Sequence, residues 1–291
     1  MFRTVLVPQT GQSTDGTALE AANALMRESN GHLSCVYVHD DAAAIASTMQ
    51  TDAMGVPVVT PSLITALNEE ANTQRSRARE VFGSFCKKNC ISIAEQNPNS
   101  RALSASWKEV SADVVATIAS KSGYHDAVVM ARDGEFAVPS PYDIGSVVVA
   151  SGRPVILTPG TWKPGSFERI AIAWKETSEA ARAVAAALPL LKRAKDVLIF
   201  SVTEERAPDT AREMARNCSI YLKQHEIFSE SRGLVADKED VGAVLFSEVM
   251  AAGADLLVLG AYGHSRLREF VFGGFTREVL FDAPIPVLLM H

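Results

Sequence analysis

The sequence predicts an α/β protein, built as two tandem open parallel sheets with helices on both faces and packed together as a pseudo-dimer. Nearly continuous apolar runs alternate with longer amphipathic runs along the whole chain, which is typical of parallel strands buried between two layers of helices. This alternation occurs twice in the 291 residues. A chain of that length also exceeds one small domain, so we expect two.

The first half opens with an apolar strand at 4–8 and a helix at 15–29, in which Ala18, Ala22 and Leu25 recur at helical spacing. The elements predicted after these are a strand at 33–40, a long helix at 61–89, a strand at 91–95, a helix at 111–122 with Ser111 as its N-cap, a strand at 126–131, a short helix and a strand at 153–159. Strands separated by helices favour right-handed crossovers and a parallel sheet.

The second half repeats the first segment by segment. Residues 169–191 mirror 4–26, 195–203 mirror 32–40, 255–263 mirror 126–134, and 284–290 mirror 152–158. Such self-similarity indicates two copies of one unit. We therefore predict a first domain at 1–160 and a second at 166–291, joined by a linker that is rich in proline and glycine.

The first copy is longer than the second. His32 and its equivalent Lys195 are 163 positions apart, whereas Asp126 and its equivalent Asp255 are 129 apart. The first copy therefore has 34 more residues than the second between these two points. Most of the excess falls at about 40–79, where the pattern predicts an insertion. We expect it to act as a flap over the domain or as an arm that holds a homodimer together.

Composition excludes several classes of partner. The net charge of −6 and the pI near 5.6 do not suit a protein that binds nucleic acid or an anionic membrane. No apolar run approaches the length of a membrane span or a secretory signal. Four cysteines do not form a disulfide scaffold, and Cys86 and Cys90 are predicted as two buried apolar side chains. The sequence thus predicts a soluble, cytoplasmic protein.

A glycine-rich stretch, GAYGHSRLREFVFGGFT at 260–276, follows an apolar strand of the second half. Ligands of open parallel sheets collect at the carboxyl ends of strands. Glycine lets backbone N–H groups approach a phosphate closely, and a helix that begins near Gly273 and Gly274 would add its unpaired N–H groups. The hydroxyl of Thr276 and the cationic side chains of His264, Arg266 and Arg268 could assist. Glycines are also common at the ends of strands and before helices, where they only allow the chain to turn. Spacing alone therefore leaves open whether these glycines bind a phosphate or only separate two elements.

The spacing of these glycines resembles that of the universal stress protein family. Gly260, two residues, Gly263, nine residues and Gly273 follow the family signature. The repeated segments extend the resemblance over nearly the whole chain, as a tandem protein of that family. The resemblance implies a Rossmann-like fold that binds ATP, with Gly260, Gly263, Gly273 and Gly274 around the phosphates. It also implies that Lys175 and Val202, near the ends of the first two strands, lie near the nucleoside.

Two positions depart from that family pattern. Gly274 stands where the family's ATP-binding members have Ser or Thr, and Lys175 stands where they commonly have an acidic residue. Lys175 is expected to pair with a phosphate in place of Mg²⁺ or to face solvent. The first copy departs further, since Ala131 replaces the first glycine, and we expect that copy not to bind a nucleotide.

Three functions from different classes remain open. The resemblance favours a stress-response regulatory protein whose second domain binds ATP or a related adenine nucleotide, with or without Mg²⁺. An interaction module that binds no nucleotide, as a homodimer or with a protein partner, is the alternative. Slow hydrolysis of ATP is the third. The sequence carries no phosphate-loop, nucleophile-elbow or zinc-protease motif, so we do not predict an enzyme.

Overall fold

The computed structural model describes residues 1–27, 29–39, 61–95, 102–132, 140–203, 208–237, 240–263 and 274–291. Its strands are β1 (Thr4–Gln9), β2 (His32–His39), β3 (Ser92–Ile93), β4 (Ser104–Ser111), β5 (Ala127–Arg132), β6 (Val155–Pro159), β7 (Arg169–Ala173), β8 (Asp196–Thr203), β9 (Glu230–Val235), β10 (Leu256–Gly260) and β11 (Val287–Met290). Its helices are α1 (Asp15–Leu25), α2 (Pro61–Lys88), α3 (Val114–Ser122), α4 (Pro141–Ala150), α5 (Ser178–Leu191), α6 (Pro208–Gln224), α7 (Val241–Ala251) and α8 (Gly274–Asp282).

These strands form one sheet of eleven, in the order β3-β4-β2-β1-β5-β6-β11-β10-β7-β8-β9. Apart from the extra edge strand β3, both halves have the same order: third, second, first, fourth and fifth strand. Neighbouring strands run parallel except β6 and β11, which are antiparallel. The predicted α/β class with a parallel sheet is therefore confirmed.

Helices cover both faces of this sheet, because near-continuous apolar strands need cover on each side. One face packs against α1, α2, α5 and α6, which contribute Ala22, Phe82, Ala187 and Leu222 to a buried cluster. The other face packs against α3, α4, α7 and α8, which contribute Ile118, Ile144, Leu245 and Val279. Each cluster contains residues from both halves of the chain.

The closing strands of the two halves meet at the centre of the sheet. Val155, Ile156 and Leu157 of β6 lie opposite Leu289, Leu288 and Val287 of β11. All six side chains are at most 1% exposed. This antiparallel seam joins the halves through backbone hydrogen bonds and shared core.

Equivalent residues play equivalent roles in the two halves. Asp126 accepts hydrogen bonds from the backbone N–H groups of Arg3 and Thr4, and Asp255 does the same for Glu168 and Arg169. The helices that follow β1 and β7 also match. Their buried positions are Ala18, Leu19, Ala22 and Leu25 in α1, and Ala183, Val184, Ala187 and Leu190 in α5.

The third strand of the first half lies later in the chain than the pattern predicts. Residues 91–95 contain only the short edge strand β3, and the third strand is β4. The mixed polar sequence SASWKEVS hid this strand, because one end of β4 is buried and the other is exposed. Helix α3 accordingly begins later than expected. Its cap is Asp113, whose Oδ1 accepts from the Ala116 N–H at 2.7 Å, and not Ser111.

The predicted insertion at 40–79 divides into two parts. Residues 40–60 lie outside the described residues, so their role as a flap or arm stays a prediction. Residues 61–79 are the N-terminal part of α2, which at 28 residues is longer than its counterpart α6 at 17. Cys86, in the last turns of α2, is buried, whereas Cys90, just beyond the helix, is exposed at a backbone φ of 54°. The expectation of two buried cysteines was therefore wrong for Cys90, which follows the end of the helix.

In the part of the chain that the structure describes, no helix combines the length and the apolar character needed to cross a bilayer.

Candidate functional site

The strand order of the second half reverses between β7 and β10, and the region at the carboxyl ends of these two strands is called the crevice below. In open parallel sheets this point is where ligands bind, because the loops that leave the two strands diverge to opposite faces. Lys175 follows the end of β7 and is exposed, Val202 lies near the end of β8, and Gly260 ends β10. The structure thus places these three predicted residues at one edge of the sheet, together with Gly263.

Gly260 is required by packing between β10 and α5. A Cβ on this residue would lie 2.5 Å from the carbonyl carbon of Glu179 and 2.8 Å from its Cβ, and closer still to the backbone nitrogen of Ala180. Real side chains do not tolerate such contacts with backbone. Close approach of a helix to a strand is thus enough to explain a glycine here, without any ligand.

Gly263 has different surroundings. The nearest described atom to a Cβ at this position is Oε2 of Glu179, at 3.8 Å. Tyr262, just before it, has a φ of 62°, a left-handed conformation that non-glycine residues adopt rarely. The turn before Gly263 is therefore strained, and among the described residues it leaves space at the Cβ position.

The first turn of α5 brings a carboxylate into this crevice, and the sequence pattern did not reveal it. Glu179 is 2% exposed, and its Oε1 accepts from Ser178 Oγ at 2.9 Å and from Arg182 at 3.2 Å. A glutamate in the first turn of a helix is common because it favours the helix dipole. Only its burial beside Gly260 and Gly263 distinguishes it.

The N-terminus of α5 is itself occupied. The hydroxyl of Thr177 accepts a hydrogen bond from the N–H of Ala180 at 3.3 Å. The backbone of Gly260 packs against the same turn. One N–H group of this helix end is therefore already engaged, and the 260–263 turn and the start of α8 are the other candidates for holding an anion.

His291, which follows β11, contacts the 260–263 turn. Nδ1 of His291 donates to the carbonyl oxygen of Ala261 at 3.2 Å, and the rings of His291 and Tyr262 meet edge to face at 6.3 Å. Arg182 donates to the backbone oxygen of His291 at 2.9 Å. Burial raises the pKa of the Tyr262 phenol, so it stays protonated. None of these roles has a spacing signal in the sequence.

The corner where the resemblance expects the nucleoside is formed by the ends of β7 and β8. Ser201 is fully buried and donates from Oγ to the carbonyl oxygen of Trp174 at 2.7 Å. The indole Nε1 of Trp174 is buried and has no hydrogen-bond partner among the described residues. This corner therefore holds a small hydroxyl side chain and a buried indole donor.

The opposite wall is α8, which begins at Gly274. Thr276 lies in its first turn and is buried, at 9% exposed. The other predicted phosphate-side residues, namely His264, Arg266 and Gly273, lie outside the described residues, and so does Arg268.

In the first half, α2 packs at the matching position, beside a small cavity whose lining includes Thr10, Asp15 and Met130. The sheet register aligns Tyr37 with Ser201, one residue away from the match that the sequence repeat gave. The phenol of Tyr37 donates to the carbonyl oxygen of Ala71 at 2.9 Å. Gly11, at a φ of 78°, approaches α2 so closely that a Cβ would lie 2.6 Å from the Cα of Gln74. A helix thus covers the ends of β1 and β2, where the second half leaves Lys175 exposed.

A carboxylate also closes the loop after β1. Asp15 is 2% exposed and accepts hydrogen bonds from the backbone N–H groups of Thr10 and Gly11, at 2.9 and 2.8 Å. Burial raises its pKa, although these hydrogen bonds oppose the change. The polar groups of this loop are thus satisfied internally.

Comparisons with known proteins give the fold a family context. The full chain superposes on a universal stress protein of Archaeoglobus fulgidus with a TM-score of 0.66, at 14% identity, over 99% of this chain and 95% of the other. A Pseudomonas aeruginosa protein described as a universal stress protein matches with a TM-score of 0.57, at 16% identity, over 99% and 93%.

The same fold occurs in a protein of another kind. The cytoplasmic domain of a prokaryotic cation chloride cotransporter matches with a TM-score of 0.52, at 11% identity, over 99% of this chain and 95% of the other. Identities this low establish the fold and not the function. A search of curated proteins found no sequence match. Residues 166–291, the second half, match the model of the Universal stress protein family.

Proposed function

We propose that the chain is a tandem universal stress protein and that its second half binds ATP or a related adenine nucleotide as a regulatory ligand. The observation that carries the proposal is the difference between the two halves at the carboxyl ends of their first two strands. Helix α2 contacts these ends in the first half at Tyr37 and Gly11, whereas in the second half Lys175 is exposed and the described atom nearest to the Cβ position of Gly263 is Oε2 of Glu179, at 3.8 Å.

The nucleoside would lie at the ends of β7 and β8. Ser201 is small where the first half has Tyr37, and the Trp174 indole N–H is a buried donor without a partner among the described residues. Val202, near the end of β8, is partly buried. An apolar wall with one or two directed polar groups is the usual lining of a small-molecule site.

The phosphates would lie between the 260–263 turn and the start of α8. A glycine turn and a helix N-terminus both suit an anion. The carboxylate of Glu179 opposes this, because its Oε2 lies 3.8 Å from the Cβ position of Gly263. Arg182 offsets part of that charge at 3.2 Å. Lys175 or a bound Mg²⁺ would supply further positive charge, together with the cationic side chains of the 264–268 segment.

Calorimetric titration of the full chain with ATP, with and without Mg²⁺, tests the proposal. We expect one site per chain, lost in Gly263→Val, since a branched side chain would keep phosphate oxygens away from the backbone. The matched control is Gly165→Val, because Gly165 lies in the linker and its Cβ would meet only Lys163 O, at 3.8 Å.

Two further comparisons sharpen the outcome. Lys175→Met should abolish binding in the absence of Mg²⁺ if the lysine supplies the missing charge, and should have little effect if the metal does. Absence of heat with all adenine nucleotides, in a protein shown to be folded and free of carried ligand, would contradict nucleotide binding. The alternative, an interaction module, would then be favoured, because packing alone explains Gly260.

A further inference from the structure

The outer edges of the two halves differ at equivalent positions. The Ala112 N–H donates to His39 at the end of β2, at 3.0 Å, and the Ala236 N–H donates to Thr203 at the end of β8, at 3.1 Å. This match aligns β4 with β9 and places Phe228 where the first half has Ser104. The sheet register agrees. Ser104 pairs with His32, whose equivalent in β8 is Asp196. Glu230 pairs with Leu198, so Phe228, two residues earlier, falls opposite Asp196.

An added strand covers this position in the first half but not in the second. Ser104 and Ala105 pair with β3 and are 5% and 0% exposed. Cys90 and Glu226 both follow a helix with positive φ. From Cys90 to Ala112 there are 22 residues, whereas from Glu226 to Ala236 there are 10, so the second half lacks the segment that forms β3. Phe228 is consequently 80% exposed.

The free edge of β9 can accept a further strand. Backbone groups of successive residues in a strand point to opposite sides. Because Ala236 donates to β8, the even-numbered residues point inward and Ser229, Ser231 and Gly233 point outward. No strand among the described residues pairs with this outer side. A row of open N–H and C=O groups on an edge is a template for another strand.

The side chains of this edge form a pattern that is complementary to itself. Phe228, Glu230, Arg232 and Leu234 alternate along one face, on which Arg232 lies over the Phe200 ring at 5.8 Å. In an antiparallel pair of two copies centred on Ser231, Glu230 of each copy would lie opposite Arg232 of the other. Phe228 would likewise lie opposite Leu234. Opposite charges and apolar pairs facing each other across strands are favourable.

We propose that β9 is a homodimerisation edge, at which two copies of the chain pair their β9 strands antiparallel about Ser231 and extend the sheet across both molecules. Charges on an edge strand commonly prevent pairing. Within one chain Arg232 pairs with Glu230 at 2.8 Å and with Glu248 at 3.7 Å. In the paired strands the same two-residue alternation would add ion pairs with the second copy. Other exposed apolar side chains flank the edge, namely Ile220 and Tyr221 of α6, Val235 of β9 and Met250 of α7.

Sedimentation equilibrium of the full chain over a range of concentrations tests this. We expect a reversible dimer, weakened about tenfold or more by Glu230→Arg and by Arg232→Glu, because each change places like charges opposite each other twice. The double variant Glu230→Arg with Arg232→Glu should restore the dimer. The control is Glu95→Arg, a charge reversal beside the opposite edge of the sheet.

Ser231→Pro probes the backbone independently of charge. Its lost N–H points away from β8, so the variant should keep its own sheet and circular dichroism spectrum and lose the dimer. A wild-type chain that stays monomeric throughout, a dimer that Ser231→Pro leaves unchanged, or single charge variants that the double variant does not rescue would each overturn the proposal.

Discussion

Gly260 and Gly263 belong to the same turn but are glycine for different reasons. The first has no room for a Cβ against the backbone of α5, whereas the second faces Glu179 across 3.8 Å. Packing against α5 requires the first glycine, whereas among the described residues no such contact requires the second. The spacing of glycines in the sequence cannot distinguish these cases, because a glycine required by packing and a glycine that faces a ligand look the same in a sequence.

Alanine substitutions separate the two roles. Gly260→Ala should lower the free energy of unfolding by about 1–3 kcal/mol, as overpacking does in other cores. Gly263→Ala should change it by less than about 0.5 kcal/mol, as a change in open space does. Urea unfolding of both variants measures this. Equal losses of stability would show that the turn is packed throughout.

His32 gives the fold a defined pH response. Its ring nitrogens lie 2.9 Å from Ser104 Oγ and 2.8 Å from Ser106 Oγ, and burial lowers its pKa, with His125 and Lys108 adding to the shift. The unfolded chain then binds a proton at higher pH than the folded chain does. The contribution of neutral His32 to the free energy of unfolding is thus complete above pH 6.5, the ordinary pKa of histidine. It is lost as the pH falls towards the lowered pKa of the folded state.

Unfolding experiments between about pH 8 and 5 measure this response. Wild type should lose stability below 6.5, and His32→Asn should lose less over the same interval. His125, whose pKa burial also lowers, remains in both proteins, so the difference between the two curves isolates His32. Parallel curves would contradict the assignment.

At the scale of elements, arginines of one half hold helix ends of the other. Arg132, at the end of β5, donates to the carbonyl oxygens of Phe281 and Ala283 at the end of α8. Arg193 follows α5 and donates to Arg27 and Leu25 at the end of α1, at 2.7 and 2.9 Å. Cations at carboxyl ends of helices satisfy unpaired carbonyls and the helix dipole.

Arg132→Ala should therefore cost about 2–3 kcal/mol of unfolding free energy, since buried carbonyls would lose charged donors. Arg153 offers a matched control, because it donates to Gly123 beyond α3 at 3.1 Å but lies exposed. Arg153→Ala should cost less than about 1 kcal/mol. Similar losses in thermal or urea unfolding would argue against a special role for the contact between the halves.

At the scale of the whole molecule, the two halves share one sheet and both core clusters. Neither half buries its seam strand without the other. We therefore predict one cooperative thermal transition, with calorimetric and van't Hoff enthalpies in agreement. Two resolved transitions in differential scanning calorimetry would show instead that the halves unfold as separate domains.

Much of this architecture could be predicted from the sequence. Apolar periodicity reports burial directly, so the strands at 4–8 and 126–131 and the helices after β1 and β7 were located correctly. Duplication was visible because repeated cores need repeated patterns. Strand β4 was missed because only one of its ends is buried. Its apolar and polar residues therefore do not alternate as they do in most half-buried strands.

The sequence by itself determined the α/β class and the parallel sheet, because these follow from the spacing of apolar residues along the chain. It also pointed to the carboxyl end of β10, through Gly260. Only the tertiary structure decided how α2 contacts the ends of β1 and β2, that Glu179 lies beside Gly263, and that β9 is an edge strand of the described sheet. Those facts depend on which distant segments meet, and spacing along a chain carries no information about that.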